Sequence, residues 1–92
     1  MKKNEAKIRV FGDVQGVFFR QETKKQAENL DLCGWVKNMP DGSVKIVAQG
    51  AKDKIDELII WSRCGSSLAQ VKKVKVKYNK PKEKYIDFSI RM

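Results

Sequence analysis

Hydrophobic and polar residues follow two different periods along the chain, and each change of period marks a new element. Five stretches have the alternation, or the β-branched and aromatic content, of short strands: residues 7–12, 33–38, 43–49, 71–78 and 85–91. Apolar residues recur every three or four positions over residues 19–30 and 51–64, which predicts two amphipathic helices. The chain is therefore expected to contain both helices and a sheet.

Turn residues indicate how these elements connect. Met39-Pro40-Asp41-Gly42 combines a fixed φ, a locally bonding carboxylate and a glycine, so it predicts a tight hairpin between the second and third strands. Gly65-Ser66-Ser67 predicts the end of the second helix. The first six of these elements have the order βαββαβ, which predicts an α+β sandwich of the ferredoxin-like, split βαβ type. We expect a four-stranded antiparallel sheet with both helices on one face.

The size of the chain limits its organisation. Its 92 residues predict one domain that spans residues 1–92. No apolar run reaches the length needed to cross a bilayer, about 20 residues, and no apolar segment follows the first lysines, so neither an anchor nor a signal peptide is expected. Cys33 and Cys64 match no metal-binding or redox spacing, which favours free thiols in a reducing cytoplasm.

The charge of the chain favours anionic partners. Twenty Lys and Arg against eleven Asp and Glu give a formal net charge of +9. Nucleic acid, acidic lipid and phosphorylated metabolites are all compatible with that charge. A lysine-rich surface that only keeps the protein soluble is an equally good interpretation.

A glycine-containing loop between the first strand and the first helix is the best candidate for a binding site. The strand breaks at Gly12, Gly16 closes a short loop, and Arg20 stands where the helix should begin. Such a loop directs several backbone N–H groups, and the positive end of a helix, at one point. Arg20 adds a planar fork suited to two phosphate oxygens. The glycine pair alone could equally form a tight turn without a ligand.

Missing residue types restrict the chemistry of this site. The loop lacks the lysine of a nucleotide-hydrolysing P-loop and the third glycine of a dinucleotide site. The chain has no histidine, so a Ser-His triad and a histidine-ligated metal are excluded. An enzyme of this composition would act by positioning and electrostatics on a substrate with an easy leaving group, such as an acyl phosphate. Asn38, just before the hairpin turn, could orient a water molecule or simply form the turn.

Two stretches resemble the signatures of a known family, the acylphosphatases, and the resemblance covers nearly the whole chain. Residues 12–20, G-D-V-Q-G-V-F-F-R, are similar to the pattern G-x-V-Q-G-V-x-F-R. Residues 34–44, followed by Gly50, are similar to G-[FYW]-x-x-N-x-x-x-G-x-V with a glycine six positions later. Both match at every fixed position, which is far more specific than either glycine pair. Asp13 departs from the family, which usually has a basic residue there.

The resemblance implies a small ferredoxin-like hydrolase that cleaves the carboxyl–phosphate bond of acyl phosphates without metal or cofactor. It implies that Arg20 holds the phosphate, that Asn38 orients the attacking water, and that the substrate's own phosphate takes the water proton. A phosphate or sulfate ion could occupy the same place. The backbone amides implied to assist Arg20 belong to Asp13, Val14, Gln15, Gly16, Val17, Phe18 and Phe19.

Several expectations stay open at the level of sequence. We expect a monomer, Asp13 facing solvent, and Phe18 and Phe19 packed beneath the loop. A nucleic-acid-binding module is disfavoured because residues 44–48 carry no stacking aromatics and the alternating lysines of residues 73–77 are typical of protected sheet edges. Trp35 and Phe11 are interpreted as packing residues. A phosphate-binding domain without turnover is a further alternative.

Overall fold

The periodic segments fold close to their predicted positions. The structure is a computed structural model that describes residues 4–65 and 68–92. The prediction that Gly65-Ser66-Ser67 ends the second helix is confirmed at Gly65, which caps it, whereas Ser66 and Ser67 lie outside the described residues. The elements are β1 (Asn4–Asp13), α1 (Phe19–Asn29), β2 (Cys33–Asn38), β3 (Val44–Gly50), α2 (Lys52–Cys64), β4 (Gln70–Asn79) and β5 (Phe88–Arg91).

The ferredoxin-like prediction is confirmed, but the sheet of the described residues has five strands rather than four. Their order is β4-β1-β3-β2-β5. The first four strands pair antiparallel, as expected, whereas β5 pairs parallel to β2. The fifth strand exists because a four-stranded split βαβ sheet leaves the backbone groups of β2 unpaired at its edge, and the returning chain satisfies them.

The segment before β5 crosses the sheet instead of extending the strand, so β5 begins at Phe88 rather than at residue 85. Gln49 holds this segment: its Nε2 donates to the carbonyl oxygen of Glu83 at 2.5 Å, and its Oε1 accepts from the backbone N–H of Tyr85 at 3.2 Å. Gln49 is itself buried and also donates to Glu5 at 2.9 Å. One side chain of β3 thus fixes where the last strand can start.

Both helices cover the same face of the sheet. Ile8 and Val10 of β1 and Ile46 of β3 form one buried cluster with Phe19 of α1 and Leu58 of α2. Burying each such side chain stabilises the fold by about 1.5–3 kcal/mol. Residues alternate along a strand, so the opposite face, here called the open face, carries the intervening polar side chains. No helix formed by the described residues is long and apolar enough to cross a membrane.

Candidate active site

The loop after β1 is shaped by backbone conformations that side chains rarely adopt. The β1–β4 register shifts between Phe11 and Gly12, and a Cβ on Gly12 would lie 2.1 Å from the carbonyl oxygen of Gln70. Gly16 has φ +76° and Phe18 has φ 60°, both in the left-handed region. At these residues the chain leaves the sheet and turns toward the start of α1. A Cβ on Gly16 would meet no atom within 4 Å, so the outer side of the loop is open.

The start of α1 favours an anion. The helix begins at Phe19, and no side chain among the described residues caps it. The N–H groups of its first turn therefore lack the usual acceptor, and the helix dipole places about half a positive charge there. This is the electrostatic environment predicted for the loop.

Arg20 is half-buried, and its guanidinium contacts the end of β5, the edge strand of the sheet. Its Nη1 donates to the carbonyl oxygen of Arg91 at 3.3 Å and lies 3.9 Å from Sδ of Met92. A guanidinium has five N–H groups in one plane. Within residues 4–65 and 68–92 its Nε and Nη2 make no hydrogen bond, so one side of the fork can bind an anion.

Asn38 is the last residue of β2 and pairs with Val44 of β3. Its side chain is half-buried, and its Oδ1 is enclosed without a hydrogen-bond partner among the described residues. An enclosed polar atom without a partner costs about 1–3 kcal/mol. Such a cost is typical of functional sites, where stability is given up for chemistry.

Gln15 connects the loop to the β2–β3 hairpin. Its Nε2 donates to the carbonyl oxygen of Met39 at 2.8 Å and to that of Ser43 at 2.9 Å. Met39 directly follows Asn38, so the side chain of Gln15 sets the distance between the loop and the asparagine. The sequence placed Gln15 in the loop only through its backbone amide, because a glutamine has no preferred partner until the hairpin is folded beside it.

A cavity of about 380 Å³ brings Arg20 and Asn38 together at the start of α1. Ile90 of β5 and Met92, just after that strand, close it. Sequence reasoning missed both because it placed no strand beside β2. The alternation that predicts a strand over residues 85–91 includes Ile90, but alternation alone does not show which strand lies beside it. The complete lining comprises Val14, Gly16, Phe18, Phe19, Arg20, Gln21, Asn38, Ile90 and Met92.

Other predicted residues of the loop lie outside the cavity or differ from expectation. Asp13, Gln15 and Val17 do not line it, and Asp13 is exposed, as expected. Phe19 is buried and stacks on Trp61 with ring centroids 5.4 Å apart, also as expected. Phe18 does not pack beneath the loop: 64% of it is exposed, because its left-handed backbone turns the side chain outward.

Known proteins resemble the chain over almost its full length. A family model described as Acylphosphatase matches residues 6–90. An acylphosphatase of Thermococcus kodakarensis is 42% identical over 88% of this chain and 89% of its own length. One from Shewanella amazonensis is 47% identical over 90% of this chain and 91% of its own length.

Solved structures of acylphosphatases are also similar to this chain. The acylphosphatase of Coxiella burnetii superposes with a TM-score of 0.92 at 41% identity and covers 98% of this chain and 94% of its own. That of Bacillus subtilis gives a TM-score of 0.93 at 34% identity, with coverage of 97% and 99%.

Fold and cavity together define a class: small α+β proteins with a ferredoxin-like fold and a cavity at a strand–helix junction. The chain belongs to the acylphosphatase family. Membership in this family assigns it the hydrolysis of acyl phosphates to carboxylate and phosphate.

Proposed function

We propose that the cavity holds the phosphoryl group of an acyl phosphate, that Arg20 binds this group and that Asn38 orients the water that attacks it. The observation that carries this proposal is that both side chains line one cavity at the uncapped start of α1. The free N–H groups of the Arg20 guanidinium and the backbone N–H groups of the loop residues that line the cavity bind the phosphoryl oxygens. These donors stand in place before the reaction, so they stabilise the charge of the transition state without reorganising.

Asn38 orients the attacking water in this proposal. A carboxamide can donate through Nδ2 and accept through Oδ1. The enclosure of Oδ1 favours Nδ2 as the group that meets the water. An N–H donated to the water oxygen fixes one lone pair and leaves the other for attack on phosphorus, while the water protons point toward the phosphoryl oxygens.

The reaction then needs no side chain as a base. The water oxygen bonds to phosphorus, the bond from phosphorus to the acyl oxygen breaks, and that oxygen leaves with the electron pair as a carboxylate. The pKa of such a carboxyl group is about 4, so it departs without a proton. A water proton passes to a phosphoryl oxygen of the substrate, and the products are a carboxylate and inorganic phosphate. Inorganic phosphate or sulfate is expected to occupy the same cradle and inhibit.

Phosphate release from benzoyl phosphate tests the proposal. Arg20→Ala is expected to lower kcat/KM by about 10²–10³-fold, since one preorganised donor typically contributes that much. Asn38→Ala is expected to lower kcat and to change the phosphate inhibition constant little. Lys24→Ala is the matched control, because Lys24 is a cation of the same helix that does not line the cavity. Full activity in both site variants would contradict the proposal.

The same measurements test the alternative that the chain is a phosphate-binding domain without turnover. Asp13, which stands where the family usually has a basic residue, is the departure that favours this alternative, but its exposed carboxylate does not line the cavity. Phosphate inhibition together with measurable turnover favours the enzyme, whereas phosphate binding without turnover favours the alternative. We also propose that the chain acts as one domain and as a monomer, which sedimentation at assay concentrations tests.

A further inference from the structure

The open face carries a line of cations that crosses all five strands of the described sheet. The register places Lys75 beside Arg9, Arg9 beside Lys45, Lys45 beside Lys37, and Lys37 beside Arg91. Each strand thus contributes one member, and we call these five residues the cation row. Neighbouring strands lie about 4.8 Å apart, so the row is about 19 Å long.

The cation row opposes the stability of the sheet. Like charges directly opposite each other on paired strands are destabilising. Within residues 4–65 and 68–92, Asp41 is the only carboxylate that forms an ion pair with the row, at 3.0 Å from Arg9. Lys7 and Lys77, also paired with each other, add further positive charge beside it. An anion that lies along the row would relieve this repulsion.

Aromatic rings flank the row on both sides. Trp35 lies on one side, with its ring centroid 4.6 Å from the guanidinium carbon of Arg91 and 5.9 Å from Nζ of Lys45. Phe11 lies on the other side, with its ring centroid 5.8 Å from both Arg9 and Lys75. The row is therefore a line of charges with a π face on each side, which uniform solubilising lysines would not need.

This chemistry fits one kind of partner. Proteins that bind single-stranded nucleic acid combine a cationic groove along the phosphates with aromatic side chains that stack on bases. A shallow depression of about 370 Å³ lies along the row between β4 and β3 and is lined by Arg9, Lys45 and Lys75, among others. A lipid surface fits less well, because Trp35 and Phe11 are half-buried and no fully exposed apolar side chain of the described residues accompanies them along the row.

We propose that the open face binds single-stranded nucleic acid, with phosphates along the cation row and bases against Trp35 and Phe11. The sequence argued against such a role because the third strand carries no aromatic residue. The structure supplies the rings from β1 and β2, on either side of the row. The proposal is independent of acyl phosphate hydrolysis, since neither the row nor its flanking rings line the catalytic cavity.

The fluorescence of Trp35 provides a direct test. The chain has two tryptophans, and Trp61 stacks on Phe19 against the core, so Trp61→Phe leaves Trp35 as the only tryptophan reporter. An oligouridylate is expected to quench it at about 50 mM salt, with a log–log salt slope of about −0.7 for each phosphate neutralised. Absence of quenching at this salt concentration would overturn the proposal.

Matched charge variants locate the binding. Lys37→Gln with Lys75→Gln removes two members of the row, and Lys24→Gln with Lys25→Gln removes two cations of similar exposure from α1. The double variant of the row is expected to bind the oligouridylate about tenfold more weakly, and its log–log salt slope should be less negative by about 1.4. The double variant of α1 is expected to change neither the affinity nor the slope by much. Equal losses in both pairs would contradict the proposal.

Two further measurements distinguish the open face from the catalytic cavity and from a membrane-binding surface. Arg20→Ala is expected to keep its affinity for the oligouridylate, and loss of binding in that variant would place the ligand in the catalytic cavity instead. Vesicles containing phosphatidylserine serve as the competing surface. Tighter binding to the vesicles than to the oligouridylate would overturn the proposal in favour of a membrane surface, whereas preference for the oligonucleotide supports it.

Discussion

Gln15 Nε2 lies 2.8 Å from the carbonyl oxygen of Met39, the residue that follows Asn38. Through this bond, and a second one to Ser43, one side chain joins the anion-binding loop to the strand that presents the asparagine. Catalysis by positioning is sensitive to such links, because a displacement of about 1 Å can cost about 10²-fold in rate.

Gln15→Ala is therefore expected to lower kcat about tenfold or more. Its phosphate inhibition constant should change less than its kcat, since Arg20 and the backbone amides remain. The two carbonyl oxygens keep backbone donors, so the loss of stability should stay near 1–2 kcal/mol. Steady-state kinetics and urea unfolding measure these effects. A lowered unfolding midpoint with unchanged kcat would show that the two bonds serve stability alone.

Arg20→Lys separates charge from geometry. Lysine keeps the positive charge but replaces the planar fork by a single ammonium, which cannot bind two phosphoryl oxygens and the Arg91 carbonyl in one plane. We expect activity on benzoyl phosphate to stay at least about tenfold below that of the original chain. Recovery of full kcat/KM in this variant would show that a point charge is sufficient.

Gly34→Ala is expected to destabilise the fold strongly. Gly34 has φ +138°, and a Cβ there would lie 1.8 Å from the carbonyl oxygen of Val47 on the paired strand. Steric overlap and backbone strain should together cost about 2–4 kcal/mol of the free energy of unfolding. Gly42→Ala is the matched control, because its φ is +91° but no atom lies within 4 Å. Urea unfolding should show a larger loss of stability for Gly34→Ala than for Gly42→Ala. Equal losses would contradict the steric argument.

Asp41 makes the stability of the fold depend on pH. Its carboxylate accepts from the Ser43 hydroxyl at 2.5 Å and from the Ser43 backbone N–H at 2.9 Å. These bonds, with a smaller contribution from Arg9, lower the pKa of Asp41 from its ordinary value of 3.8. A carboxyl group whose pKa is lower in the folded state stabilises the fold above its unfolded pKa, and this contribution is lost as the pH falls through the folded pKa.

Asp41→Asn should therefore lower the free energy of unfolding at neutral pH, and the difference from the original chain should close as the pH falls below 3.8. Glu28→Gln, which removes an exposed carboxylate of α1, serves as the control. Unfolding by urea at a series of pH values provides the comparison. A difference that is constant with pH would show that the ionisation of Asp41 does not contribute.

The sequence by itself determined the elements and the core of the site. Periods of two and of three to four residues report burial on one side of a strand or a helix, so the segments from β1 to β4 could be located from local pattern. Gly12, Gly16 and Arg20 are close in sequence, and the loop that they define follows from local backbone chemistry. The proximity of Asn38 followed from the expected sheet order.

Only the tertiary structure decided which distant segments meet. The pairing of β5 with β2, and with it the contact of Ile90 and Met92 with the cavity, depends on an edge that exists only after the sheet has formed. The bonds of Gln15 to the hairpin and the outward side chain of Phe18 arise in the same way. The cation row joins five strands separated along the chain, and side chains on different strands become neighbours only through the register of the sheet.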